Sequence, residues 1–173
     1  MQISKKHYNP EEHEVFPALS VKQPYASLLI ETERFDENGM RHAAKEIEVR
    51  SRPVKFRGDL LICSSAKPDD LWHRFPAGVA LGFVELYDVK PVSQFTKADW
   101  EATAIPVSER ERYEGCFGWF FRNPRKVIQM PAKGQLGIFN IYYEKGDIMP
   151  YPQYLELGSD GWKKIQAKIN GNK

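Results

Sequence analysis

Apolar positions fall along this chain in short bursts, and their spacing changes from burst to burst. "VFPALSV" (15–21) reads as a short strand. "KQPYASLLIETE" (22–33) sets Tyr25, Leu28 and Leu29 at helical spacing, with Pro24 in the first turn, where its missing N–H costs nothing. "RFDENGMRHAA" has no clear period, and Asn38-Gly39 is a turn signal, so a mobile loop or a small hairpin is expected. "KEIEVR" alternates, with Lys45, Ile47 and Val49 on one face and Glu46, Glu48 and Arg50 on the other.

"RPVKFRG" then reads as a turn and "DLLICSSA" as a nearly continuous apolar strand. Pro68 and Asp69 open a short helix that ends near the turn at 76–78. "VALGFVELYDVKPV" is a long strand with a possible bulge at Gly82. Thr96 is placed to cap a helix over "TKADWEATA". Residues 104–114 look like loop. "GCFGWFFRN" is an aromatic strand, Pro124 a break, and "KVIQM" and "QLGIFNIYY" two further strands. Ser159 or Asp160 caps a last helix around 159–170, with Trp162, Ile165 and Ile169 on one face and Lys163, Lys164 and Lys168 in its basic part.

Five to seven strands against three or four short helices predict an α+β fold, a small β-barrel or curved sheet with peripheral short helices. A chain of 173 residues suits one domain. The expected division is a flexible arm over 1–14 and a single domain over 15–173, with an inserted loop around 33–44. A formal net charge of +2 means that any basic face must come from uneven distribution of charge. Cys63 and Cys116 lack C-x-x-C partners, so free thiols are expected and no metal site. The polar start "MQISKKHYNPEEHE" and the lack of an apolar run of about 18 residues predict a cytoplasmic protein with no membrane segment. No cofactor is expected. The histidines at 7, 13, 42 and 73 form no pattern of ligands or bases.

Charge concentrates in one stretch. Lys45, Glu46, Glu48 and Arg50 lie within six residues, and Arg50, Arg52, Lys55 and Arg57 follow with no acid among them. Three readings fit: a salt-bridged wet face, a track for phosphates, or an acid/base site. Basic neighbours lower a carboxylate's pKa, while desolvation in a cleft raises it and suits Glu48 to general-base work. Ser20, Lys22 and Gln23 sit where a strand passes into a helix, either as an ordinary helix start or as an anion site. Phe117, Trp119 and Phe121 alternate in "FGWFF", either as core or as a stacking surface for bases, and Tyr25 and Trp72 share that ambiguity. Phosphate-loop and esterase motifs are missing, which leaves nucleotide-hydrolase and esterase readings without support.

"PALSVKQPYASLLI", "KEIEVRS" and "FRGDLLICSSAKP" together resemble the ASCH (activating signal cointegrator homology) domain family of the PUA-like superfamily. That family shows a Q-P-W/Y-A helix, a G-x-K-x-x-E-x-R segment and a Y/F-R-G-x-L-L-I-x-A-S strand. Lys45, Glu48 and Arg50 fall on the K-x-x-E-x-R positions. "GWFFRNPRKVIQMPAKGQLGIFNI" is similar to the family's closing part, where a G-W strand precedes a P-x-K-G-x-x-G-I/L-W/F segment. The resemblance runs over residues 17–141. It implies a PUA-like barrel with a cleft beside the first helix, where Lys45, Glu48 and Arg50 stand opposite Lys22 and Gln23. Ala43 replaces the family glycine, and the longer link from helix to strand implies that "RFDENGMRH" is an inserted lid.

The superfamily is associated with RNA binding, RNA modification and recognition of altered bases. The resemblance therefore implies binding of RNA or a modified nucleotide: Lys22, Arg50, Arg52 and Lys55 on phosphate or sugar, Gln23 and Glu48 on a base edge, Tyr25 stacking or lining the wall. The alternative is a hydrolase acting on RNA or on an amide of a modified base, with Lys45 and Glu48 as the acid/base pair and Glu85 as a candidate second carboxylate. One branch of small ASCH proteins hydrolyses acylated cytidine with a lysine and a threonine, and here Glu48 stands at the threonine position. A third expectation is a protein-interaction module with an exposed aromatic patch. Oligomeric state is left open.

Overall fold

The computed structural model describes residues 1–67 and 75–152. The short helix expected from Pro68, the ring of Trp72 and the helix expected around 159–170 lie outside the described residues. The strand-like runs become β1 (Gln2–Ile3), β2 (His13–Val21), β3 (Thr32–Phe35), β4 (Arg41–Ala43), β5 (Ile47–Arg50), β6 (Gly58–Ser64), β7 (Val79–Pro91), β8 (Phe117–Pro131) and β9 (Ile138–Glu144). The helices are α1 (Tyr25–Ile30) and α2 (Lys97–Ala102). No helix among the described residues is long and apolar enough to cross a membrane.

Seven strands form one sheet in the order β1-β9-β2-β6-β7-β8-β5, and β3 and β4 form a separate pair. Among the described strands only β2 and β6 run parallel, from Ala18 opposite Leu61 to Val21 opposite Ser64. Parallel neighbours need a long crossover, and α1, the β3–β4 hairpin and β5 supply it. The result is the expected β-rich α+β fold, but the sheet does not close into a barrel. Its terminal strands β1 and β5 do not pair. Four-residue β5 spends its backbone bonds on β8, from Ile47 opposite Phe120 to Arg50 opposite Phe117.

The continuous apolar run of β6 is explained by burial on both sides. Leu60 and Ile62 join one core with Leu19, Val21, Leu29, Ile30, Leu86 and Trp119. Leu61 and Cys63 join a second with Ala18, Val127, Phe139, Ile141 and Tyr143. Helix α1 covers the first core through Ala26, Leu29 and Ile30. Strand β7 changes phase to serve both, with register shifts between Ala80 and Gly82 and between Phe83 and Glu85. A side chain at Gly82 would put its Cβ 2.5 Å from the Arg125 carbonyl oxygen and 2.9 Å from Ile30 Cγ2. The expected bulge is there, and the missing side chain lets helix and strand approach.

Several local expectations change. The residues expected as a loose arm contribute β1, which pairs with Tyr142 and Tyr143, and β2 already begins at His13. The first helix stops at Ile30, and Thr32 opens a strand. Around 33–44 the hairpin alternative is the one formed, and in it the Asp36 carboxylate accepts the N–H groups of Asn38 and Met40, both at 2.9 Å. Gly39 takes φ +76°, the left-handed conformation that the turn needs. Strand β8 runs through Pro124 unbroken, because the shift opposite Phe83 and Glu85 absorbs the missing N–H. Thr96 caps α2 as expected, in a reciprocal capping box with Asp99. Residues 107–113 form a short helical segment instead of plain loop.

Candidate functional site

Where the sheet is left open, a side chain bridges the gap. Arg50, the last residue of β5, donates from Nη2 to the Ser20 carbonyl of β2 at 3.0 Å. Beside this bridge lies a cleft of about 650 Å³, within the usual size range for small-ligand pockets. It draws Ser20, Val21 and Lys22 from the end of β2, Tyr25 from α1, Glu48 and Arg50 from β5, Lys67 from beyond β6, and Lys133–Gly137 from the β8–β9 loop. That loop passes close to β2: a Cβ on Gly134 would sit 2.5 Å from Ser20 Oγ.

Lys45 lies just before β5 begins, yet it keeps the strand's alternation and is buried like Ala43 and Ile47. Its side chain turns inward and is 2% exposed. Nζ donates to the Thr103 carbonyl, stands 3.2 Å from Glu48 Oε2, and lies 5.2 Å from the centre of the Tyr25 ring. The carbonyl comes from the end of α2, where the helix dipole favours a cation. Thr103 is itself fixed, its hydroxyl donating to the Trp100 carbonyl at 2.6 Å and accepting Ile105 N–H at 3.1 Å. Burial pulls the Lys45 pKa below its ordinary value, and Glu48 opposes that shift.

Glu48 thus stands between two cations, Lys45 behind it and Arg50 Nε 3.4 Å from its other oxygen. It lines the cleft, whereas Lys45 does not. Arg50 also lies 5.9 Å from the centre of the Trp119 ring, and its Nε is buried without a hydrogen-bond partner among the described residues. Lys22, Arg50, Lys67 and Lys133 are the cations among the described lining residues, and Glu48 is the one carboxylate. The cleft is a cationic pocket with one carboxylate among its described lining residues, held by ion pairs on both sides.

The other predicted residues are placed differently. Gln23 turns into the protein at 5% exposure. Its Nε2 donates to Ser27 Oγ and the Pro76 carbonyl, at 2.9 and 2.8 Å, and its Oε1 accepts Ser27 N–H. It closes the start of α1 and has no free edge for a base, while Ser20 and Lys22, expected beside it at the same helix start, line the cleft. Arg52 and Lys55 are exposed on the segment after β5 and do not line the cleft. The Arg52 carbonyl receives the Trp119 indole N–H at 3.0 Å. Arg57 folds back on its own segment, donating to the carbonyls of Val54 and Phe56. Only Arg50 of the basic run enters the cleft.

Trp119 and Phe121 are core, and Phe117 packs half-buried against them. The base-stacking surface and the exposed aromatic patch expected from "FGWFF" are not formed. Glu85 is paired through both oxygens with Arg122, at 2.7 and 2.9 Å, away from the cleft lining. Lys67 and Lys133 were not anticipated as site residues. For Lys133 a signal existed in "PAKGQL", a lysine followed by glycines in a segment that bears the family pattern.

A β-rich α+β domain with a cationic cleft at the open side of its sheet is the class of protein that fold and site define. The chain belongs to the ASCH domain family, whose model matches residues 19–131. Among solved structures it is similar to the crystal structure of ASCH from Zymomonas mobilis, with a TM-score of 0.52 and 12% identity, covering 71% of this chain and 85% of that one. That likeness speaks for the fold. Comparison with curated proteins gives no match.

Proposed function

We propose that this ASCH protein binds RNA or a modified nucleotide in the 650 Å³ cleft. The supporting observation is the lining: Lys22, Arg50, Lys67 and Lys133 around one carboxylate, Glu48, held in place from behind by Lys45. Cations of this kind contact phosphate, and a fixed carboxylate accepts hydrogen bonds from the amino edge of a base. Tyr25 forms the wall. The test is binding of short single-stranded RNAs and a modified-nucleoside panel to wild type and to Arg50→Glu. A loss beyond that caused by raising salt on the wild type supports the reading, and unchanged affinity with an intact fold refutes it.

A second reading, hydrolysis of RNA or of an amide on a modified base, draws on one observation. Glu48 reaches the cleft while a buried lysine sits 3.2 Å behind it, an arrangement that can hold a general base in position. Glu48 would take a proton from water, and Lys45 would position it and balance its charge. This reading requires a product detectable by mass spectrometry, lost in Glu48→Gln while ligand binding survives.

A further inference from the structure

The β8–β9 loop is held at its base and bare at its tip. Ala132 N–H donates to the Gly78 carbonyl at 2.8 Å, and Lys133 N–H donates to Gln2 Oε1 at 2.6 Å. Gly134 lies against Ser20, and Gly137 takes φ +67°. Beyond the contacts at 132–134, Leu136 is 99% exposed. A single exposed leucine is ordinary. What sets this one apart is that it lies between two hollows. Gln135 and Leu136 line the cationic cleft, and they also line a groove of about 520 Å³ on the other side, walled by β1, the segment after it, and β9.

That groove carries Ser4, Lys5, Asn140 and Tyr142. Lys5 and Asn140 are exposed, and no carboxylate is among the described lining residues. The groove thus offers a cation, an amide and the part of the Tyr142 ring left open by its contact with Tyr8, 5.0 Å between ring centres, the set that single-stranded nucleic acids use: charge for phosphate and a ring for a base. An apolar side chain on a ridge between two such hollows matches the wedge that proteins insert between adjacent bases.

We propose that the site takes a single RNA strand laid across the loop, with one nucleotide in the cleft, its neighbour in the Lys5–Tyr142 groove, and Leu136 between their bases. This rests on the nucleotide-binding reading of the cleft and narrows the ligand class from a free nucleoside to a strand.

The test compares each member of the modified-nucleotide panel as a free monophosphate and within a single-stranded RNA of about eight nucleotides. Wild type, Lys5→Glu and Leu136→Ser are measured over a salt series, and both altered side chains are exposed, so thermal melts should match wild type. The strand is expected to bind about tenfold or more tightly than the monophosphate. Each variant should remove most of that gain. Lys5→Glu should leave the monophosphate unaffected and flatten the dependence of log K on log salt by about 0.7, the signature of one lost phosphate contact. A gain retained in either variant, or no gain in wild type while the monophosphate binds, overturns the proposal and leaves the cleft reading standing. If wild type binds neither form, the cleft reading fails and the proposal falls with it.

Discussion

Glu48→Gln is the perturbation with the most worked-out consequence. Lys45 is 2% exposed and, among the described residues, has one carboxylate within reach, at 3.2 Å. Removing that charge leaves an ammonium group in the interior with only the Thr103 carbonyl and the face of Tyr25 for company. Breaking one side of a buried pair costs about 3 kcal/mol at neutral pH. In a chain of this size that lowers Tm by about 6–12 °C. In a Lys45→Met background no charge is stranded. Glu48→Gln then removes only the partly exposed pairing with Arg50, worth less than about 1 kcal/mol. The coupling between the two positions should therefore be about 2 kcal/mol.

The pH dependence gives a second, independent sign. Burial lowers the folded-state pKa of Lys45, so the unfolded chain binds more protons between that value and the ordinary lysine value. Stability gained from shedding the proton therefore rises with pH across that window. Without Glu48, which raises the Lys45 pKa, the window opens at lower pH, and Glu48→Gln should recover stability toward alkaline pH more than wild type does. The assay is urea unfolding of wild type, both single variants and the double variant at neutral and alkaline pH. Costs that add to within about 0.5 kcal/mol refute the coupling. A Glu48→Gln deficit that is the same at both pH values refutes the stranded-charge account.

Two further outcomes follow from local geometry. A Cβ on Gly118 would lie 2.2 Å from Phe95 Cζ, so Gly118→Ala should destabilise the protein by about 1–3 kcal/mol in denaturant titration, and wild-type stability would contradict the close approach. His42 joins Asp36 at 3.1 Å and Glu46 at 2.7 Å, which raises its pKa, with Arg34 opposing, and lowers that of Asp36. The hairpin support from His42 is complete below its ordinary pKa and is lost as pH rises through the raised one. The protection of β3 and β4 amides, taken relative to the base-catalysed intrinsic exchange rate at each pH, should fall over that rise and stay level in His42→Asn; the same fall in the variant would refute the role of His42.

Much of the fold was legible because its signals are local. The two-sided burial of β6, the cap at Thr96, the bulge at Gly82 and the turn at Asn38-Gly39 each depend on residues close in sequence. What failed depended on distant partners. Pro124 reads as a break unless the compensating register shift on β7 is known. Open or closed, a sheet of seven strands has nearly the same sequence pattern.

The candidate site shows the same division. Glu48, Arg50, Lys22 and Tyr25 were marked by their charged or aromatic pattern and come together around the cleft. Gln23 shared the motif, yet its amide is consumed by Ser27 and the carbonyl of Pro76, a residue far along the chain. Lys45 keeps the face that alternation shares between it and Ile47, although β5 starts two residues later, but the α2 terminus that receives its ammonium group is far along the chain. Lys67 and Lys133 reach the cleft from loops whose approach no periodicity encodes.

The order of strands also dictates when the parts can meet. Strand β9, near the end of the described chain, lies between β1 and β2, the two that come first. During synthesis β1 emerges early and must wait for its neighbour until more than 130 residues have followed it. β5 likewise waits for β8, and the cleft waits for the loop at 133–137. Such long-range pairings are slow to form, because the chain between them must be ordered first. A nascent chain halted before that loop carries the Lys45–Arg50 stretch without the far wall of the cleft. Any binding in the cleft therefore begins only once nearly the whole domain has left the ribosome.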